Sequence, residues 1–233
     1  MSAVHGIGFD LDHTLAIDNQ LERVALLRLL EVVLGEGGHG VGTLADEIES
    51  IDDLLAHQRR GDFTIDEAVR RFVAEHSAEP TERHVETFRR WAVEMVEEFV
   101  VPLPGVKETL DALKERGIPV AVLSNGWNPL QVRKAQRAGF RGPVLVSSEI
   151  GARKPAPRAF EALARALGTE PAQTWYVGDD PVGDVAGAQA IGMQGVWVNW
   201  ERKEYPSQLP PSGHTIAEFP ELLELLPLPA RVP

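Results

Sequence analysis

Asp10-Leu11-Asp12-His13-Thr14 follows a short apolar run, Val4 to Phe9, that is typical of a buried strand. Residues two apart in an extended chain face the same side, so the strand ends with two carboxylates, Asp10 and Asp12, on one side. Two close like charges repel each other. The pair is tolerable if a divalent cation lies between the carboxylates, or if one attacks an electrophile while the other carries protons. Both interpretations indicate chemistry on a phosphate or a similar electrophile.

Length and composition limit the possible classes of protein. The 233 residues are 43% hydrophobic, which suffices for one large α/β domain or for a domain with a lid. There is no cysteine, so thiolate metal sites are excluded. The net charge of −12 disfavours nucleic acid as a partner. We find neither a secretory signal nor an apolar run approaching the ~20 residues that span a bilayer, and we expect a cytoplasmic protein without membrane contact.

The acidic charge is concentrated between residues 16 and 100, where we count 19 acidic and 9 basic residues. Apolar residues recur there at helical spacing, which predicts four helices: Leu21 to Leu34, Val41 to His57, Ile65 to Glu75, and one that starts near Thr81. Thr64 has Glu67 three residues later, which is the spacing of a capping box. Four helices of this size predict a small bundle.

After Val100, apolar β-rich runs alternate with helical patterns. We predict strands at 118–123, 144–147, 174–177 and 195–198, and helices at 105–116, 129–139, 157–167 and 184–191. This alternation is typical of a parallel sheet with helices on both faces. The first strand belongs to the same sheet, so the fold class is α/β with an inserted all-α module. A proline-rich tail from Pro206 to Pro233 contains one predicted helix, 218–226.

Three later features fall at predicted strand ends. Ser124-Asn125-Gly126 offers a hydroxyl and backbone N–H groups before a helix, which suits an anion, although it is also an ordinary turn. Lys154, followed by Pro155, can neutralise a phosphate or be a surface lysine. The segment 178–184, Gly-Asp-Asp-Pro-Val-Gly-Asp, suits a hard cation with oxygen ligands, or is a solvated acidic loop.

Together these features resemble the haloacid dehalogenase-like hydrolase superfamily. The matching residues are Asp10-Leu11-Asp12-His13-Thr14, Ser124-Asn125, Lys154-Pro155 and Gly178-Asp179 through Asp184. The flanking sequences 103–106 and 186–193 fit too, and the helical insertion looks like the family's cap. The resemblance implies a Rossmann-like three-layer core, residues 1–15 and 101–233, and a four-helix cap, residues 16–100. Only the C-terminal tail falls outside it.

The resemblance also implies roles for the motif residues. Asp10 would be the nucleophile that forms an aspartyl-phosphate, and Asp12 would protonate the leaving oxygen and then activate water. Mg²⁺ would be held by the carboxylates of Asp10 and Asp179 and by the main-chain carbonyl of Asp12. The remaining groups support these: Ser124, Asn125 and Lys154 would bind the phosphoryl group, and Lys154 would also hold Asp10 in place. Thr14, Asp180 and Asp184 would surround the metal. Asp180 and Asp184 are also alternative metal ligands, although an orienting hydrogen-bond role is favoured for Asp184.

Within the superfamily, the sequence favours a phosphatase acting on a small phosphorylated metabolite. Dehalogenases lack the second acid, which is Asp12 here. Phosphonate-cleaving relatives use a cap lysine, but the first lysine of this chain is Lys107. Sugar-phosphate mutases carry a histidine where this chain has Glu22, so a phosphotransferase or mutase is disfavoured but stays open. A non-enzymatic binding protein on the same fold is a remote alternative.

Four further residues are candidates for substrate contact. Arg59 and Arg60 lie in the turn between the second and third predicted cap helices and suit an anionic substrate, or form a solvated turn. His13 occupies a variable position of the first motif, where it lines the pocket or supports the cap hinge. Trp127 follows the anion loop and either stacks on a ring or packs in the core. The identity of the substrate and the oligomeric state are not predicted.

Overall fold

The computed structural model describes residues 4–226. The chain divides into two compact units. The core unit comprises the residues up to Ile17 and those from Val101 onward, and the helical unit comprises Asp18–Val100. Among the described residues, no helix is both long and apolar enough to cross a bilayer.

Six parallel strands form the sheet of the core unit, in the order β5-β4-β1-β6-β7-β8. They are β1 (Gly6–Phe9), β4 (Val120–Ser124), β5 (Val144–Val146), β6 (Thr174–Gly178), β7 (Gln194–Val198) and β8 (His214–Ile216). The predicted parallel α/β core is confirmed. Strand β8 was not predicted, because its three residues follow a proline-rich segment and show no long apolar run.

The register of the sheet places the motifs side by side. Phe9 at the end of β1 pairs with Val122 of β4 and with Val177 of β6. Because carboxyl ends of parallel strands meet at one edge of the sheet, the residues after these three strands converge there. Strand β1 lies between its two neighbours, so Asp10 is flanked by the Ser124 loop on one side and the Asp179 loop on the other.

Helices follow the strands of the core unit. They are α6 (Val106–Glu115), α7 (Leu130–Arg137), α8 (Ser147–Ile150), α9 (Pro157–Leu167), α10 (Gly187–Gln189) and α11 (Glu221–Leu225), with a 3₁₀ turn at Pro171–Gln173. The helix predicted from Asp184 is instead a turn of π-helix, Pro181–Ala186, followed by the short α10. The Asp180 side chain accepts a hydrogen bond from the Val182 N–H and so caps this turn.

The core packs helix α9 closely against the sheet. Phe160, Leu163 and Tyr176 are fully buried in one apolar cluster. A Cβ atom on Gly8 of β1 would lie 2.3 Å from Leu163 Cδ2 and 2.9 Å from Tyr176 Cδ2. Glycine therefore suits this position of β1, because a side chain there would force the buried side chains of Leu163 and Tyr176 to shift.

The helical unit contains α1 (Leu21–Gly35), α2 (Leu44–Arg60), α3 (Ile65–Glu75), α4 (Glu82–Glu94) and the short α5 (Val96–Phe99). Helix α2 starts later than predicted because Thr43 is its N-cap, in a capping box with Asp46. It ends at Gly61, whose φ of 88° is the left-handed conformation that stops a helix. At α3, the Thr64 hydroxyl accepts from the Glu67 N–H, as predicted.

A short antiparallel pair was not predicted. Strands β2 (Ala16–Ile17) and β3 (Val101–Pro102) pair in the core unit, where the chain leaves for the helical unit and returns from it. Two-residue strands give no periodic signal in the sequence. The Leu103 N–H also donates to the Leu15 carbonyl, which extends this pairing by one hydrogen bond.

Candidate active site

Asp10 lies directly after β1 in a buried ionic cluster. The Lys154 ammonium donates to Asp10 Oδ1 at 2.5 Å and to Asp184 Oδ1 at 2.7 Å, and all three side chains are at least nine-tenths buried. A buried lysine is stable only when it is paired, and here one ammonium serves two carboxylates. The other oxygen of Asp10, Oδ2, accepts no hydrogen bond from any described side chain, which leaves it available to a ligand.

The carboxylates of the cluster resist ionisation. Burial, followed by the charges of Asp184 and Asp12, raises the pKa of Asp10 to about 7 in spite of the opposing Lys154. Burial and the charge of Asp10 raise the pKa of Asp179 to about 7, and burial raises the pKa of Asp184 to about 6. Burial alone would lower the pKa of Lys154, but the charges of Asp10 and Asp184 outweigh it and raise that pKa.

The same carboxylates could hold a metal ion. One oxygen from each of Asp10, Asp179 and Asp184 lies within 4.8 Å of the others. Carboxylate oxygens suit hard divalent cations, and a cation among them would compensate both their burial and their mutual repulsion. The set differs from the predicted ligands in that Asp184 joins the two predicted carboxylates.

Two neighbours fix Asp179. The buried Thr14 hydroxyl donates to Asp179 Oδ1 at 3.3 Å, and the Trp197 indole N–H donates to the Asp179 carbonyl at 2.9 Å. The backbone N–H of Asp180 donates to Asp184 Oδ2 at 3.1 Å. The exposed Asp180 side chain is outside the carboxylate cluster, so the structure assigns it the capping contact and no place among the potential ligand atoms.

The predicted anion loop is tied to the lysine segment. The Asn125 side-chain amide donates to the Lys154 carbonyl at 2.9 Å, and its oxygen accepts from the Lys154 N–H at 2.8 Å. These two bonds hold the backbone from which the lysine side chain reaches Asp10. The buried Ser124 hydroxyl lies at the end of β4, adjacent to β1.

Two residues at the site were missed by the sequence reasoning. The Lys134 ammonium donates to Asp12 Oδ1 at 2.9 Å, and the Gln131 side-chain amide donates to Asp12 Oδ2 at 2.9 Å and to the Ser124 hydroxyl at 3.0 Å. Both lie on α7 three residues apart, hence on one face. The available signal was two polar residues three apart in the helix predicted directly after the anion loop.

Of the remaining candidates, His13 lies close enough to Asp179 for its charge to oppose the burial and the Asp10 charge that raise the pKa of that carboxyl. His13 is exposed, with a φ of 61° in the left-handed region, and Trp127 is buried. Arg59 and Arg60 are exposed at the end of α2 in the helical unit, where Arg60 Nε lies 3.7 Å from Asp62 Oδ2. Substrate contact by these four residues stays a prediction.

The sequence signature described as haloacid dehalogenase-like hydrolase matches residues 4–192, which is most of the chain and includes every motif of the site. The chain belongs to this family. The predicted membership and hydrolase class are thereby confirmed.

Relatives within the haloacid dehalogenase-like hydrolases include several named phosphatases. The chain is 26% identical to glyceraldehyde 3-phosphate phosphatase of Pyrococcus furiosus over 97% of its own length and 94% of that protein. It is 38% identical to phosphoserine phosphatase of Thermus thermophilus, but that match covers 41% of this chain and 40% of the relative. Their names support the predicted class, a hydrolase of phosphomonoesters.

Solved structures agree on the fold of this family. The magnesium-bound hydrolase YfnB of Bacillus subtilis superposes with a TM-score of 0.70 at 20% identity, covering 97% of this chain and 100% of that one. The 2-haloacid dehalogenase of Pseudomonas syringae gives the same TM-score at 25% identity, covering 95% of this chain and 97% of that one. A fold shared with a magnesium-bound hydrolase and with a dehalogenase does not by itself decide the chemistry of this chain.

Proposed function

We propose that the protein is a Mg²⁺-dependent phosphatase that hydrolyses a small phosphomonoester through an aspartyl-phosphate on Asp10. The observation that carries the proposal is that Asp10 and Asp12, two residues apart after β1, have different hydrogen-bond partners. Asp10 is paired with Lys154 beside the potential metal ligands, whereas Asp12 accepts from Gln131 and Lys134. The first arrangement suits a nucleophile, and the second suits a group that moves protons.

The proposed reaction has two steps. First, an Asp10 oxygen bonds to phosphorus while the bond from phosphorus to the ester oxygen breaks, and Asp12 gives its proton to the departing alkoxide. Then Asp12 takes a proton from water, the water oxygen bonds to phosphorus, and the bond to Asp10 breaks. The products are the alcohol and inorganic phosphate, and both carboxyl groups return to their initial states.

The charges of the site support a divalent cation. When Asp12 holds the proton that it donates and Asp10, Asp179 and Asp184 are ionised, the buried Lys154 ammonium pairs with two of these three carboxylates, Asp10 and Asp184. Asp10 and Asp179 would hold Mg²⁺, with the Asp12 carbonyl or the Asp184 carboxylate as a further ligand. The ion would supply charge stabilisation for the phosphoryl group, a role in which Lys154 and the Ser124 loop assist.

Asp12 distinguishes this proposal from dehalogenation. A halide leaves without a proton, so a dehalogenase has no use for a second acid at this position. An alkoxide is a poor leaving group and needs protonation. Two buried donors on Asp12 indicate that its position matters to the chemistry.

The substrate class is a small, soluble phosphorylated metabolite. The named phosphatases among the relatives act on compounds such as glyceraldehyde 3-phosphate and phosphoserine. These are reasonable first members of a panel. The helical unit as a cap, and substrate selection by His13, Arg59, Arg60 and Trp127, are part of the proposal.

The test is phosphate release from a panel of small phosphomonoesters, with Mg²⁺ and with a chelator. Haloacids belong in the same panel, with halide release as the readout. We expect phosphate release that requires the metal and no halide release. Halide release without phosphate release would replace the proposal with dehalogenation. Transfer of the phosphoryl group to a second sugar, without free phosphate, would favour the mutase alternative.

A further inference from the structure

The side chains of Gln131 and Lys134 on α7 bracket the carboxylate of Asp12. Lys134 Nζ donates to Oδ1 and Gln131 Nε2 donates to Oδ2, each at 2.9 Å. The Asp12 side chain itself is 33% exposed, whereas its two donors are 2% and 4% exposed as residues. The partly exposed Asp12 carboxylate is thus hydrogen-bonded by two buried side chains.

Burial makes this arrangement costly for the fold. Moving an ammonium out of water is unfavourable unless a partner compensates it, and Lys134 has the Asp12 carboxylate in that position. Gln131 is less well satisfied, because its buried Oε1 finds no hydrogen-bond donor among the described residues. An unsatisfied buried acceptor destabilises the folded state, because it loses its hydrogen bonds to water without gaining new ones. A residue serving only to stabilise the core would be apolar here.

The backbone makes room for the amide. A Cβ atom on Gly126 would lie 2.2 Å from Gln131 Nε2 and 2.5 Å from its Cγ. Gly126 is not in the left-handed region, so it is required for close approach and not for its backbone conformation. The loop after β4 and the first turn of α7 are therefore shaped around the Gln131 side chain.

We propose that Gln131 and Lys134 are positioning residues that fix the Asp12 carboxyl group, which gives its proton to the leaving oxygen and takes a proton back from water. This inference rests on the proposed function. With one donor on each of its two oxygens, the Asp12 side chain is restricted in both of its torsions. Since Gln131 also donates to Ser124, the same amide couples the proton-transfer group to the anion loop.

The test compares leaving groups in two variants, Lys134→Met and Gln131→Leu. The substrates are 4-nitrophenyl phosphate, whose leaving group needs no proton, and the alkyl phosphate that the wild type cleaves best. We expect kcat/KM for the alkyl phosphate to fall on the order of 10²-fold, and for the aryl phosphate by about tenfold or less. Lys134→Arg retains the charge and the donors, so it should recover part of the loss.

The matched control is Lys107→Met, which removes an exposed lysine paired with Asp111 on α6. This variant should leave kcat/KM unchanged for both substrates. Gln131→Leu removes an amide whose nitrogen is hydrogen-bonded but whose buried oxygen has no donor among the described residues. The melting temperature of this variant should therefore stay at or above that of the wild type. It therefore keeps the test decisive if Lys134→Met does not fold.

Equal losses of kcat/KM for the alkyl and the aryl phosphate would overturn the inference, and so would an unchanged kcat/KM in Gln131→Leu. A rise in KM on both substrates with unchanged kcat would overturn it too, since Lys134 would then bind the phosphoryl group directly. Failure of the proposed function is a separate result, because the wild type would then release no phosphate from either ester.

Discussion

At the scale of single residues, the site concentrates charge where burial opposes it. Asp10, Asp179 and Asp184 converge with one ammonium among them, and burial raises the pKa of each carboxyl. Such an arrangement lowers stability unless a cation joins it. This is the usual cost of a site whose groups are arranged for chemistry and not for the stability of the fold.

Replacing Asp10 with Asn separates the contribution of this carboxylate to turnover from its cost to the stability of the fold. We expect turnover to fall at least ~10³-fold, because the proposed nucleophile and one charge of the proposed metal site are lost together. The melting temperature of the metal-free protein should rise at pH 8, because the variant no longer buries an ionised Asp10. Thermal denaturation in chelator, next to a phosphate-release assay, checks both. A metal-free variant less stable than the wild type at pH 8 would contradict the electrostatic account.

The motif residues were predictable from the sequence, whereas their supporting contacts were not. Asp10, Ser124, Lys154 and Asp179 fall at strand ends, where topology alone brings them together. The contacts of Gln131 and Lys134 with Asp12 depend on the rotation of α7 about its axis, which a short helix without a long apolar stripe does not reveal. The Asn125 bonds to the Lys154 backbone likewise join residues far apart in sequence.

At the scale of elements, close packing of α9 on β1 positions the first motif. Gly8 lies two residues before Asp10 and leaves no space for a side chain beneath Leu163. The position of Asp10, the proposed nucleophile, therefore depends on a strand whose backbone lies against a side chain of α9. The hydrophobic pattern of the strand does not predict the close contact between Gly8 and Leu163, because a glycine has no apolar side chain that would mark the position as buried.

Substituting Gly8 with Ala tests this packing. We expect a destabilisation of about 1–3 kcal/mol, because the added methyl group would overlap Leu163 and overpack the core. Gly35→Ala is the matched control. Gly35 ends α1, and nothing lies within 4 Å of a Cβ there, so stability should be unchanged or slightly higher. Urea unfolding of both variants measures the difference, and equal stabilities would refute the close-packing argument.

The boundaries of the elements show where sequence reasoning fails. Long helices such as α3 and α9 were predicted at their observed limits, because apolar spacing and flanking Thr64 or Gly168 define them. The π-helical turn after Asp180 was read as ordinary helix, since both conformations accept the same residues. The final helix is shorter than predicted, Glu221–Leu225, and the predicted tail after residue 226 lies outside the described residues.

At the scale of the whole molecule, the buried carboxyls couple folding to pH. Their pKa values of about 6 to 7 lie above the ordinary value of 3.8, so the native metal-free protein binds more protons than the unfolded chain between these limits. The free energy of unfolding therefore falls as the pH rises from about 4 to about 7. Lys154 stays protonated throughout this window, because its pKa is raised, and adds nothing to the slope.

Urea denaturation in chelator at pH 5 and pH 8 measures this effect. We expect the wild type to be less stable at pH 8 than at pH 5 and the Asp10→Asn variant to show a smaller difference. Added Mg²⁺ should stabilise the wild type more at pH 8, because the ion must displace protons at pH 5. A wild type whose stability rises with pH by more than that of Asp10→Asn would contradict the assigned pKa directions.

The central claim is that Asp10 carries the phosphoryl group, and the most direct measurement is the intact mass of the Asp12→Asn variant after reaction with 4-nitrophenyl phosphate and Mg²⁺. Nitrophenolate leaves without a proton, whereas hydrolysis of the acyl phosphate needs Asp12. We predict a mass increase of one phosphoryl group on the peptide containing Asp10, absent from the Asp10→Asn/Asp12→Asn double variant. A wild type that releases phosphate while the Asp12→Asn variant gains no phosphoryl group, or gains it on another residue, would contradict the account.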